Sequence, residues 1–139
     1  MKKSIIIVIV LIFGFSVNAQ DILGKWKTID DETGEAKSIV QIYKKDGKVF
    51  GKIIEIFNKE RRDLPCVKCK GDDYNKPILG LDIIKSMTKD GKYFKNGTIV
   101  DPQNGKEYDL RLIVTDEGKL QVRGYIGFFY STQYWERIQ

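Results

Sequence analysis

Apolar and polar residues alternate along most of this chain with a period of two, and almost nowhere with the 3.6-residue period of a helix. The pattern is clearest near the end. Tyr108, Leu110, Leu112 and Val114 share one face of a strand, and Glu107, Asp109 and Arg111 share the other. In the next segment Leu120, Val122 and Ile126 oppose Gln121, Arg123 and Tyr125. Segments of this kind, punctuated by Gly-containing turns, predict eight strands at residues 23–29, 36–44, 48–57, 83–89, 93–100, 107–115, 119–127 and 132–138. The Asp46-Gly47 and Asp90-Gly91 pairs are hairpin signals. Strands with one apolar face joined by short hairpins make an antiparallel sheet. Eight of them in a meander can close into an up-and-down barrel whose lumen holds side chains or one small ligand. A two-sheet sandwich is the competing closure, and periodicity does not separate the two.

The first 19 residues break the pattern and read as an address. Met1-Lys2-Lys3 is a positive start, residues 5–15 are an apolar run, and Val17-Asn18-Ala19 is a small-residue cleavage signal, cut before Gln20. As a helix the run spans about 16 Å, too short for a bilayer core of about 30 Å, so export is expected rather than a stable membrane span. No Cys stands at the cleavage point to carry a lipid. The mature chain, residues 20–139, is expected to be a single domain in the periplasm or outside the cell. It loses two of 24 basic residues and none of 19 acidic ones, leaving a formal charge of +3. That is an ordinary surface, and no nucleic-acid partner is expected.

Composition narrows the chemistry. There is no His, which removes His-dependent nucleophile systems and His-based metal sites. The carboxylate pairs Asp30/Asp31 and Asp72/Asp73 lie in turns, where solvated turn formation is the ordinary role. Ser38, Ser86 and Ser131 have only carboxylates and Lys available as activating groups, and Gly-rich phosphate loops are missing. The chain is expected to be non-catalytic and to need no cofactor or metal.

Residues 58–79 form a long connection without apolar periodicity, holding two of the three prolines and both cysteines. In an oxidising compartment Cys66 and Cys69 are expected to form a disulfide closing a tight turn, worth only about 2 kcal/mol by loop-closure entropy. A redox-active CxxC beside Lys68 and Lys70, or a metal clip with Asp72 or Asp73, are the alternatives.

Gly24-Lys25-Trp26 opens the first strand and Trp135-Glu136-Arg137 sits in the last. In this the chain resembles the lipocalin superfamily, the calycins. The resemblance implies that Arg137 lies over the Trp26 indole and closes the barrel base, with Gly24 and Trp135 part of the same closure; the alternative is that Trp26 is an ordinary core aromatic. A wider set of motifs occurs in order: Cys66-Val67-Lys68-Cys69, Gly80-Leu81, Asn96-Gly97-Thr98-Ile99-Val100-Asp101-Pro102, Asn104-Gly105-Lys106-Glu107-Tyr108, Leu120-Gln121-Val122-Arg123-Gly124-Tyr125-Ile126-Gly127 and Gln133-Tyr134-Trp135-Glu136-Arg137. Together with Gly24-Lys25-Trp26 they make the chain similar to the domain of unknown function 2147 family of small exported bacterial proteins. That resemblance implies a lipocalin-like barrel and export, and no settled activity.

Arg123 and Tyr125 share a strand face, so a guanidinium and a phenol together could hold a carboxylate. Fatty-acid carriers of the same superfamily place a similar pair inside their barrels. Here the pair opposes Leu120, Val122 and Ile126, an apolar set that normally points inward, and alternation leaves both assignments open. Phe128, in the run Phe128-Phe129-Tyr130, is a candidate for lining a mouth, and equally for core or a partner patch. The expected function is binding of a small, partly apolar or amphiphilic ligand. The alternative is an envelope interaction protein with a fully packed barrel and a protein partner.

Overall fold

A computed structural model describes residues 21–139; the predicted export signal lies outside the described residues. The described residues form β1 (Gly24–Ile29), β2 (Ala36–Lys45), β3 (Lys48–Ile56), β4 (Asp82–Asp90), β5 (Tyr93–Val100), β6 (Glu107–Val114), β7 (Leu120–Ile126) and β8 (Phe129–Ile138). Each strand pairs antiparallel with its sequence neighbours and β8 returns to β1, so the sheet closes as a barrel and not as a sandwich. The β2–β3 turn is the predicted one: Asp46 and Gly47 both adopt positive φ between the paired Lys45 and Lys48.

The last hairpin differs from the sequence expectation, which ended the seventh strand at residue 127 and began the eighth at 132. Instead Ile126 pairs with Phe129 and Tyr125 with Tyr130, leaving Gly127 (φ 55°) and Phe128 as the turn. Aromatic cross-strand pairing extends the ladder through residues that carry no polar turn signal.

Chain direction puts the β1–β2, β3–β4, β5–β6 and β7–β8 connections at one end of the barrel, here the upper end. The other turns and the C-terminus mark the base. Inward-facing Trp26, Val40, Ile42, Ile84, Met87, Leu112 and Leu120 are fully buried and fill the lower lumen. Gly51 leaves room for Ile84, whose Cβ would lie 2.9 Å from a methyl added there.

At the base Trp26 and Arg137 are cross-strand neighbours, and the guanidinium carbon sits 4.2 Å from the indole ring. Arg137 also donates from Nη1 to the Leu23 carbonyl at 3.1 Å and from Nη2 to the Asp21 carbonyl. The Trp26 indole N–H donates to the Ile22 carbonyl at 2.8 Å. Gly24 has φ 125°, and a Cβ there would come within 3.2 Å of Arg137 Nη1. The motif therefore needs glycine both for its backbone and for the guanidinium above it. Trp135, 2% exposed, packs inward opposite Leu120.

On the outer wall Tyr43 of β2 stacks with Phe50 of β3, ring centroids 6.0 Å apart, and donates its hydroxyl to Asp82 Oδ1 at 2.6 Å. Burial first, and then this hydrogen bond to a carboxylate, push the phenol up from 10.0 to about 12.

Two outcomes follow. Arg137→Ala should lower unfolding free energy in urea by about 1–3 kcal/mol, well beyond the roughly 0.5 kcal/mol of an ordinary surface change, because cation–π and carbonyl contacts go together. Tyr43 binds its proton more tightly folded than unfolded, so its contribution is intact below pH 10 and lost as pH rises towards 12. Tyr43→Phe should therefore flatten the alkaline limb of the stability–pH curve in that window relative to wild type.

Candidate functional site

The β7–β8 pair records how far the lumen is filled. Its inward pairs, from base to rim, are Leu120/Trp135, Val122/Gln133, Gly124/Ser131 and Ile126/Phe129. Leu120 and Trp135 are 0% and 2% exposed and Val122 is 4%, whereas Ile126 is 49% and Phe129 is 81%. Gly124 and Gln133 fall between, and Ser131 is exposed. On the neighbouring strands Leu112 and Leu110 are buried while inward Tyr108 and Ile99 are half-buried. Side chains that point inward yet meet solvent line an opening. The barrel is packed below, and its inward-facing side chains meet solvent at the upper end on the β5–β8 side, here called the mouth.

The β3–β4 connection packs against β3, β4 and the β5–β6 loop at the upper end. It begins with a 3-10 turn at Lys59–Arg61, capped by the Asn58 side chain accepting from the Glu60 N–H. It then folds back on itself: Cys66 N–H donates to the Lys76 carbonyl at 2.7 Å and Asn75 N–H to the Cys66 carbonyl at 2.9 Å. Cys66 and Cys69 are joined as a disulfide, buried at 0% and 4% exposure, and belong to the main core cluster. Cys66 Sγ lies 3.6 Å from the Pro102 carbonyl of the β5–β6 loop. Gly105 in that loop sits so close to the Lys68 backbone that a Cβ would fall 1.8 Å from its carbonyl oxygen. The cysteine turn is thus a lid seated on the β5–β6 loop.

The Asp73 carboxylate pairs with Lys85 on β4 and lies 3.8 Å from Lys76. Clefts flank this ion pair. One, of about 340 Å³, lies between the connection and β3–β4, bounded by Phe50, Pro77 and Asp82. The other, of about 440 Å³, runs along the rim and is lined by Cys69, Lys70, Gly105, Lys106 and Ile126, with Asp73, Lys85 and Glu107.

Arg123 and Tyr125 stand on the outer face, since the register turns Leu120, Val122 and Gly124 inward. Arg123 Nε donates to Thr132 Oγ1 at 2.9 Å, its guanidinium lies 4.6 Å from the Tyr130 ring, and Tyr125 packs against the same ring at 5.9 Å. Of the two orientations alternation allowed, the lumen-facing one is not adopted. Phe128 is at the apex of the hairpin, fully exposed beside the mouth. The sequence reading missed Ile99, Tyr108, Gly124 and Gln133 as mouth residues. Their inward parity was available from alternation, but their access to solvent was not.

Replacing both cysteines with serine should cost about 2 kcal/mol from loop closure, since so small a ring constrains the unfolded chain little, and about 1–3 kcal/mol more from placing hydroxyls in the core. Hydrogen exchange should quicken at residues 101–106, which the lid touches, and stay unchanged at β1 and β8.

No curated protein matches this chain. The barrel is similar to that of protein HP1028 from the human pathogen Helicobacter pylori, which belongs to the lipocalin family: TM-score 0.72, 18% identity, covering 86% of this chain and 84% of that one. At this identity the likeness establishes the fold, an eight-stranded lipocalin-like barrel. The model of DUF2147, described as an uncharacterized protein conserved in bacteria, matches residues 24–137. Spanning the sequence from Gly24 to the closing Arg137, the chain belongs to the DUF2147 family of bacterial proteins.

Proposed function

We propose that this chain is an exported, non-catalytic binding protein that takes a small, partly apolar molecule through the mouth of its barrel. The carrying observation is the rise in exposure of inward-facing side chains from Leu120 and Trp135 at the base to Ile126 and Phe129 at the rim. Ile99, Tyr108 and Val122 offer apolar surface inside the mouth, with the Gln133 amide and Ser131 hydroxyl as polar partners. The Gln133 Oε1 already accepts from the Trp135 indole at 3.2 Å, so its amide N–H₂ faces the task of holding ligand. Because the lower lumen is filled, the site is shallow. A ligand's apolar end enters and its head group stays at the rim beside Lys70 and Lys106, not beside Arg123. Export is supported by the charged start and short apolar run of the sequence and by the disulfide, which suits an oxidising compartment. Protein recovered from the envelope should begin at Gln20.

Gly124 supplies the test of the mouth. A Cβ there would lie 3.3 Å from the Tyr108 Cβ, so a leucine would push on Tyr108 and crowd the mouth. Gly124→Leu should weaken binding of a fluorescent fatty-acid probe about tenfold or more with little change in circular dichroism. Arg123→Met and Tyr125→Phe should bind as wild type does. Equal binding by Gly124→Leu, or none by wild type, would overturn the proposal in favour of a packed-barrel interaction protein.

A further inference from the structure

We infer that the tip of the β7–β8 hairpin is a wedge that docks the mouth of the barrel on an anionic lipid bilayer. The docking stands on its own observations; only its purpose, delivering an amphiphile to the mouth, rests on the binding function proposed above.

In a chain that is 31% charged, residues 124–135 carry no charged side chain. Their upper half projects beyond the rim. Phe128 is fully exposed, and Phe129 and Tyr130 are exposed beside it. These side chains leave the hairpin in different directions: Phe129 from the inner face, Tyr130 from the outer face and Phe128 at the turn. A protein partner would need a socket shaped to all three. The interfacial zone of a bilayer accepts aromatic rings from any direction, and Tyr is at home there with its hydroxyl in water.

Two lysines near the tip suit the same partner. Lys70 and Lys106 line the rim cleft together with Ile126, and among the described residues neither is in an ion pair. Of the carboxylates nearby, Asp73 is engaged by Lys85 and Lys76, and Glu107 by the Thr98 hydroxyl, which donates at 2.7 Å; Asp109, opposite Tyr125 on the outer face, is exposed and in no ion pair among the described residues. Arg123 lies against Tyr130, its own pair with Thr132 two ladder steps further from the tip, at a depth suited to phosphate head groups when the rings enter. The acidic turn at residues 30–35 occupies the same end on the β1–β2 side, so the β5–β6 side should face the lipid more closely. Aqueous concentrations of amphiphiles are low, and contact with the phase that holds them shortens their route to an inward-facing apolar mouth.

The test is co-sedimentation of the protein, purified after export, with vesicles of equal parts phosphatidylglycerol and phosphatidylcholine. Wild type should sediment, less so as salt is raised. Phe128→Ser combined with Phe129→Ser should reduce the bound fraction roughly tenfold or more, with the same N-terminus present in both proteins. Phe128→Trp should show a blue-shifted emission on adding vesicles, against a constant background from buried Trp26 and Trp135. Gly124→Leu should sediment as wild type does, so loss of ligand binding and loss of docking are read separately. Wild type remaining in solution, or the double Ser variant sedimenting equally, would overturn the inference. So would loss of an envelope protein partner in the double Ser variant without any vesicle binding by wild type.

Discussion

Closure of this barrel depends on a short seam. Among the described residues β1 and β8 are joined by three residue pairs, Lys25/Ile138, Trp26/Arg137 and Lys27/Glu136, all at the base. The central pair does several jobs at once. Arg137 covers the indole face, satisfies the carbonyls of Leu23 and of Asp21, and requires the glycine two residues before the tryptophan. A guanidinium can do this because it is planar, permanently charged and weakly hydrated; a lysine would offer a point charge and no flat surface. With the base held in this way, the upper part of β8 is free of β1 and carries its partner β7 outward as a hairpin.

The mouth follows from that geometry together with the lid. Below, large aliphatic and aromatic side chains form one buried cluster across the lumen. Above, the disulfide-closed turn rests on the β5–β6 loop, and among the described residues no such connection packs on the β7–β8 pair. A ring of four residues constrains the unfolded chain weakly, so the disulfide acts chiefly on local shape. It keeps two small apolar groups in the core and holds the connection against the barrel. Inward-facing Ile99, Tyr108 and Ile126 stay partly exposed at the upper end, with Gln133 and Ser131 beside them.

Much of this was legible in the linear chain for stated reasons. Side-chain alternation along residues 107–114 assigned faces to β6, and Asp46-Gly47 assigned a turn, since both depend only on neighbours in sequence. Gly24, Trp26 and Arg137 were recognisable by type and by their places at the two ends of the chain. The start of β8 was not, because Phe129 and Tyr130 join the ladder through partners on β7 rather than through any propensity of their own. The contact of Tyr43 with Asp82 was equally hidden, 39 residues apart and dependent on how β2, β3 and β4 lie side by side.

By itself, then, the sequence determined an antiparallel eight-stranded sheet, the residue types that close its base, and a cysteine pair spaced for a tight turn. Those features are local or are carried by single residues. Periodicity left barrel and sandwich open and the resemblance pointed to the barrel; tertiary structure decided the closure, turned Arg123 and Tyr125 outward, and set which inward side chains are buried and which meet solvent. The physical reason is that alternation fixes which side a residue faces relative to its neighbours, while burial depends on what stands opposite, and in this barrel the residues opposite come from strands far away in the chain.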